Sequence, residues 1–315
     1  MFTGRQWLTI LLAGGATAFA FTLALTGKVS GMFLSNLTQF PLFLVALSIG
    51  TSAVAIAAGL SLAVLLVAGL ALGIPLLFLL YAAPTVLLAR QALLSRPDGS
   101  GGVEWYPPGH LLVWATGIAA TLVTLGFLML ASEPNTVESS LRQILDQLFA
   151  KMVPPDQTIA RERLVDAIVP LLPGVSAAFW ILLTVLNAAL AQWLLIHAKR
   201  NLRPTPDIAA VKLPMWLTAG LGGAILIGVM APDTIGYYCR NLALVLATPF
   251  FFAGMGVLHF LSRLHPAGSL LLALLYVFLF LFFLFFKWPI LAITAIGLVD
   301  QWTNLRQRIR AGKPD

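Results

Sequence analysis

The sequence predicts an all-α, polytopic integral membrane protein. About ten transmembrane helices are expected, in a range of about eight to ten, with an extracytoplasmic amphipathic helical segment between them. Three observations carry this. Of 315 residues, 59% are hydrophobic and only 10% are charged, whereas soluble domains carry about 25% charged residues. The apolar residues come in runs long enough to cross a hydrocarbon core of about 30 Å; Leu270 to Phe286 contains no charge and no proline. The basic residues, which leave a net charge of +7, sit in short loops and in the C-terminal tail. That distribution follows the positive-inside rule and is not a nucleic-acid footprint. The partner implied is the lipid bilayer, and no nucleic acid is expected. The single cysteine, Cys239, allows no intramolecular disulfide and no thiolate metal site.

Taken in order, the first helix runs from Trp7 to Leu25. Met1 to Arg5 followed by an apolar run has the outline of a signal peptide. The run extends to Leu25 and no cleavage site precedes Lys28, so a retained helix is expected. Ala16, Ala20 and Ala24 recur every four residues and share one face. Small residues so spaced let helix backbones approach closely in lipid, within the chain or against another membrane subunit docking on this helix. Phe33 to Leu94 is almost continuously apolar, about 90 Å of helix and enough for three crossings. Breaks are expected at Gly50-Thr51-Ser52 and at Gly73-Ile74-Pro75; the alternative is two crossings.

A polar, turn-rich loop follows from Arg90 to Pro108. Its Gly99 to Gly102 stretch lacks the spacing of a phosphate-binding loop. Trp105-Tyr106-Pro107-Pro108 belongs at the lipid–water interface and introduces a helix over His110 to Leu130. Residues 133–169 form the one long polar segment, with four basic and six acidic residues. Asn135 and Glu138 fit a helix-capping pattern. Val137, Leu141, Ile144, Leu145, Leu148, Phe149 and Met152 keep helical spacing up to Pro154-Pro155, the pattern of a helix lying in the interface. Helices are then expected over Pro173 to Ile196, Pro214 to Met230 and Asn241 to Leu261, with a polar turn over Pro232 to Arg240. A closing hairpin is predicted from Leu270 to Phe286 and from Ile290 to Val299, broken at Lys287-Trp288-Pro289. The organisation expected is an N-terminal membrane bundle over 1–131, an interfacial segment over 132–172, and a C-terminal bundle with a basic tail over 173–315.

Lys199, Arg200, Arg203 and Lys212 mark the clearest cytoplasmic loop. With ten spans, the loops at Arg90/Arg96 and Arg263/His265, the tail and both termini fall on that same side, and 133–169 falls outside. The location expected is the bacterial inner membrane.

The spans hold few groups for chemistry. Asn187, Gln192 and His259 are the main polar side chains inside them. Carboxylates and arginines, which proton-coupled transporters place there, are lacking. No hydrolase, protease or nucleotide motif is found. No catalytic residue, metal or cofactor is therefore expected, and the chain does not read as an enzyme. Asp300 lies late in a helix, where a carboxylate opposes the macrodipole and needs a partner. Asn304 is one turn on. Arg306 lies off that face of a continuous helix, so the expected partners are Asn304 and a basic group from another loop: Arg90, Arg200 or Arg263.

Asn241, the run from Pro249 through Gly254 and Gly256 to His259, and Gly297-Leu-Val-Asp300-Gln-Trp-Thr-Asn304-Leu-Arg306 together resemble the YybS-like predicted membrane proteins. That is a bacterial family of unknown function whose C-terminal end carries a Gly-x-x-Asp-x-x-x-Asn-x-Arg pattern. The resemblance brings no catalytic residues. It implies a distant likeness to the substrate-binding components of energy-coupling-factor transporters, in which a small-residue stripe on the first helix docks the partner. On that reading Asn187, Gln192, His259, Asp300, Asn304 and Arg306 are the candidate binding residues. The function expected is a solute-binding or transport-type membrane component acting with partner subunits. The rival readings are a structural or assembly protein of the cell envelope, and a membrane enzyme acting on lipid-linked substrates.

Overall fold

The computed structural model describes residues 2–26, 29–99, 101–130, 137–150, 157–282 and 288–311. The expected cap at Asn135, Met152, the stop at Pro154-Pro155, Lys287 and Lys313 lie outside the described residues. Among the described residues, six helices are long and apolar enough to cross a membrane: Gly4–Leu25, Ser30–Ser48, Ala71–Ala92, Pro108–Leu130, Thr158–His197 and Asp233–Ser262. Thr51–Val67, Met215–Met230 and Gly268–Leu279 are shorter apolar helices. Large apolar side chains stand far out of the protein, Leu72 95% and Val67 90% exposed. Helices satisfy their own backbone groups, so lipid can cover such a surface. The chain is an all-α, polytopic membrane protein.

Two compact units share the chain: Met1–Ala115 with Ile181–Asp207, and Thr116–Trp180 with Ile208–Asp315. In the first unit, α1 (Gly4–Leu25) opens on a capping box in which Thr3 and Gln6 exchange hydrogen bonds of 3.3 and 2.8 Å. Its packed face holds Ile10, Ala13, Gly14, Thr17, Ala18 and Phe21. Ala20 is at the edge of that face, Ala24 is half-buried and Ala16 is exposed. The helix meets α4 (Thr51–Val67) closely at Gly14, where a Cβ would come within 2.8 Å of the Ala57 carbonyl oxygen.

Between them, α2 (Val29–Ser35) and α3 (Phe40–Ser48) are one apolar stretch broken at residues 36–39. This break is additional to those expected at Gly50 and Gly73. Its causes are local. Ser35, Asn36 and Thr38 turn their side chains onto backbone carbonyls one turn back, which competes with the helix. Pro41, at the start of α3, has no N–H to continue the ladder. Gly50, with φ +122°, separates α3 from α4.

The last crossing of this stretch is irregular. A 3-10 turn over Ala71–Gly73 leads into α5 (Ile74–Leu77), a π-helical turn over Phe78–Ala82 and α6 (Ala83–Ala92). Pro75 and Pro84 each withhold a backbone donor there. The turn-rich loop after α6 is a small hairpin of β1 (Ser95–Pro97) and β2 (Val103–Trp105), with Arg96 opposite Glu104. Asp98 ties the turn by accepting from the Gly102 N–H at 2.8 Å. α7 (Pro108–Leu130) then carries the chain from the first unit to the second.

In the second unit, α8 (Val137–Ala150) and α9 (Thr158–Ile168) are joined by ion pairs Arg142–Asp166 and Arg161–Asp146. Val137 plugs into Phe127 and Tyr237, while Ile144 and Leu148 stay exposed. α10 (Leu172–His197) returns the chain to the first unit. α11 (Met215–Met230), α12 (Asp233–Ser262), α13 (Gly268–Phe282), α14 (Trp288–Thr303) and α15 (Leu305–Ala311) complete the second.

α12 is the hub, packed chiefly on α14 and α11. It is longer than expected, because residues 233–240 form its first turns instead of a polar loop. Asp233 stands in the first turn, where a carboxylate suits the helix dipole, and Tyr237 and Cys239 are buried. α14 also exceeds the expected Ile290 to Val299. Pro289 lies in its first turn, where a missing N–H costs no hydrogen bond.

Candidate functional site

Three buried polar constellations stand out, one at each end of the first unit's part of α10 and one on α14. The first is at the broken helix. Thr184 and Asn187 are one turn apart on α10 and 2% and 3% exposed. Thr184 Oγ1 donates to Gln39 Oε1 at 2.8 Å. Asn187 Nδ2 donates to the Asn36 carbonyl at 2.8 Å and to the Leu183 carbonyl at 2.7 Å. Two carbonyls fix which way the Asn187 amide points, so its Oδ1 is an open acceptor. Gln39, 2% exposed, has its Nε2 open. These two atoms meet no partner among the described residues. Sequence reading singled out Asn187 but missed Gln39, Asn36 and Thr184. The signal was the uncharged polar run Asn36-Leu-Thr-Gln39 within an apolar stretch.

Gln192 belongs elsewhere. Five residues on, it faces the loop 198–207 and donates to the Arg203 carbonyl at 2.8 Å, as does Asn201 Nδ2 at 2.8 Å. The Arg203 side chain turns inward, 5% exposed, and donates through Nη1 to the Ala92 carbonyl at 2.6 Å. Its guanidinium carbon lies 5.6 Å from the centre of the Trp105 ring. Burial holds the guanidinium below the ordinary arginine range.

The third constellation is the end of the chain. Asp300 is 5% exposed. Its partner is Arg306, not Asn304 or an arginine of another loop. Arg306 places Nε 2.9 Å and Nη2 2.6 Å from Asp300 Oδ2, and its backbone N–H reaches Oδ1 at 3.3 Å. The expectation failed because the helix is not continuous. Asn304 takes φ +49° and separates α14 from α15, which folds Arg306 back. Asn304 acts through its backbone, donating to the Asp300 carbonyl at 3.0 Å, and its side chain is exposed. Arg306 also donates to the carbonyls of Ala209 and Val211 at 2.6 and 2.7 Å. One ion pair thus pins the segment before α11 onto α14.

The same unit carries two further locks. Asn241, wholly buried, accepts from the Gly174 N–H at 2.8 Å and donates to the carbonyls of Pro170 and Tyr237 at 3.1 and 2.9 Å. Gly254 and Gly297 let α12 and α14 touch: a Cβ on either would run into the Ile293 or Phe250 carbonyl. His259 meets Tyr276 of α13, Nε2 to Oη 2.7 Å, at a half-exposed position. The candidate residues therefore divide. Asn187 is in a polar cluster with open valences, Gln192 holds a loop, and Asp300, Asn304 and Arg306 build a closed structural lock. Comparisons with curated proteins and with solved structures find no match. The family pattern does match, over residues 15–301, which takes in the first two constellations and Asp300 but stops short of Asn304 and Arg306, and the chain belongs to the family of predicted membrane proteins DUF2232.

Proposed function

We propose that the protein binds a small, uncharged polar solute within the membrane, at the break between α2 and α3, as the solute-binding component of a transport system. One observation carries this. A transmembrane stretch is interrupted, and the buried amides of Gln39 and Asn187 beside the interruption keep one donor and one acceptor open. Open hydrogen-bonding groups are costly in an apolar interior, and transporters build their midplane sites on broken helices for this purpose. A donor and an acceptor without an ionisable side chain suit a hydroxyl, amide or similar neutral group. The resemblance to energy-coupling-factor components accords with this reading.

The same reading places the protein in the inner membrane with both termini cytoplasmic, supported by the Lys and Arg of its loops. A partner subunit would dock on α1, where Ala16 is exposed and Gly15 faces open space.

The test is native mass spectrometry of the full chain extracted with its lipids. A neutral small molecule should be retained at one per chain by the wild type and lost from Asn187→Leu and Gln39→Leu. A wild type that retains none, or variants that retain it undiminished, would overturn the proposal.

A further inference from the structure

We infer that Arg203, in the loop 198–207, is the anchor of a phosphate-binding site at the membrane surface, formed with Trp105 of β2. This site is distinct from the solute site and does not rest on it. Arg203 is 5% exposed, yet no carboxylate faces it among the described residues. The nearby acids are otherwise engaged: Glu104 pairs with Arg96 at 2.7 Å and Asp98 accepts from the Gly102 N–H. What compensates the charge is the carbonyl of Ala92, the last residue of α6, and the face of Trp105. A helix C-terminus and a ring together supply partial negative charge, less than the full counter-charge that a buried guanidinium calls for. Nε, wholly buried, donates to no atom among the described residues.

The arrangement is built, not incidental. Gln192 and Asn201 both clasp the Arg203 carbonyl, and the Leu202 N–H is held by the Leu47 carbonyl at 2.9 Å. The backbone is fixed so that the side chain points inward. Arginine differs from lysine in presenting a planar fork of N–H groups that matches the oxygens of a phosphate. The surroundings favour an anion, since Arg90, in the last turn of α6, and Lys199 and Arg200, in the loop itself, are exposed. The loop joins two apolar helices, so it lies where phospholipid phosphates are the abundant anions, and basic pockets of this kind hold lipid headgroups. A soluble phosphate would meet the same N–H groups.

The experiment uses the purified full chain. Its thermal unfolding is followed in neutral phosphatidylcholine nanodiscs, in discs with added phosphatidylglycerol, and in neutral discs with inorganic phosphate. The wild type should unfold at a higher temperature with phosphatidylglycerol, with phosphate, or with both. Half of the effect should appear at a concentration about tenfold lower than for an Arg203→Lys variant. Stabilisation by the lipid alone identifies a headgroup, and stabilisation by inorganic phosphate at equal strength identifies a soluble phosphate. Arg203→Gln should lose the response, while Arg308→Gln, at an exposed position of α15, should keep it. If Arg203→Gln does not fold, the wild type and Arg203→Lys decide alone. A wild type indifferent to both additives, or an Arg203→Lys variant that responds equally, would overturn the site and leave Arg203 a helix cap.

Discussion

The two units treat buried polar groups in opposite ways. In the second unit Asn241 uses its carbonyl and amide together, and Asp300 and Arg306 engage each other and two further carbonyls. Among the described residues, the open atoms there are the Thr218 hydroxyl and Arg161 Nε, which lies 2.9 Å from Asp146 but is not aligned for a hydrogen bond. In the first unit Thr17, Gln39, Asn187, Gln192 and Arg203 each keep a buried atom open. Saturated groups specify a structure, because any other packing would leave them unpaired. Half-open groups add little to specificity and retain capacity for a ligand. On the proposed reading, the second unit carries the architecture and the first the recognition.

The largest effect expected is at the ion pair. Asp300→Asn leaves the largely covered Arg306, its side chain 12% exposed, without its counter-charge and should destabilise the second unit by about 3 kcal/mol. Thermal unfolding in detergent measures this. Arg306→Met in the Asp300→Asn background should restore part of the loss, since it removes the orphaned charge. Additive losses in the double variant would show that the two side chains act independently.

Next comes the contact of α12 with α14. Gly254→Ala and Gly297→Ala each push a methyl into a backbone carbonyl of the facing helix. The helices must part, at about 1–3 kcal/mol. Gly15→Ala, where the space is open, serves as the control and should unfold with the wild type. Equal stability of all three variants would mean that the glycines do not set the helix separation.

The contrast between units is sharpened by two asparagines given the same substitution. Asn241→Leu orphans the Gly174 N–H and should cost about 2–3 kcal/mol. Asn187→Leu removes a group that was already half-open and should cost no more than about 1 kcal/mol, typical of hydrogen bonds between membrane helices. Should Asn187→Leu prove as damaging as Asn241→Leu, the first unit's amides would be structural and the solute reading would fall.

Much of this was legible in the sequence. Apolar runs marked the membrane stretches and Gly50 marked a break, because chain length and helix-breaking residues act locally; the second break, expected at Gly73-Ile74-Pro75, falls a few residues earlier at 68–70, where Gly69 takes φ +74°. What escaped reading was non-local or hidden by averaging. Four residues at 36–39 hardly dilute the hydropathy of an apolar stretch, so the broken helix was invisible although Pro41 stood beside it. Asp300–Arg306 was missed because helical spacing presumes a continuous helix, and a left-handed Asn304 changes the face on which Arg306 arrives. Arg203 reads as one more cation of a basic loop. The clasp of its carbonyl by Gln192 and Asn201, and the hold of Leu47 on the Leu202 N–H, set the backbone that turns it inward.

The smallest effect expected is on α8. Sequence spacing put Val137, Leu141, Ile144, Leu145, Leu148 and Phe149 on one lipid-facing stripe. The structure divides that stripe. Val137 packs against Phe127 and Tyr237, Leu141 joins the same cluster, and Leu145 and Phe149 are half-buried. Ile144 and Leu148 remain 55% and 51% exposed, one turn apart. These two are the residues left to enter the interface, each adding up to about 2 kcal/mol if fully buried there. Helix attachment should therefore survive Leu145→Ser, a change on the protein side, yet weaken with Leu148→Asp. Limited proteolysis of the full chain in nanodiscs reads the difference as faster cleavage within 137–168 for Leu148→Asp alone. The opposite order would mean that α8 is held by α9 and the Phe127–Tyr237 cluster and owes nothing to lipid.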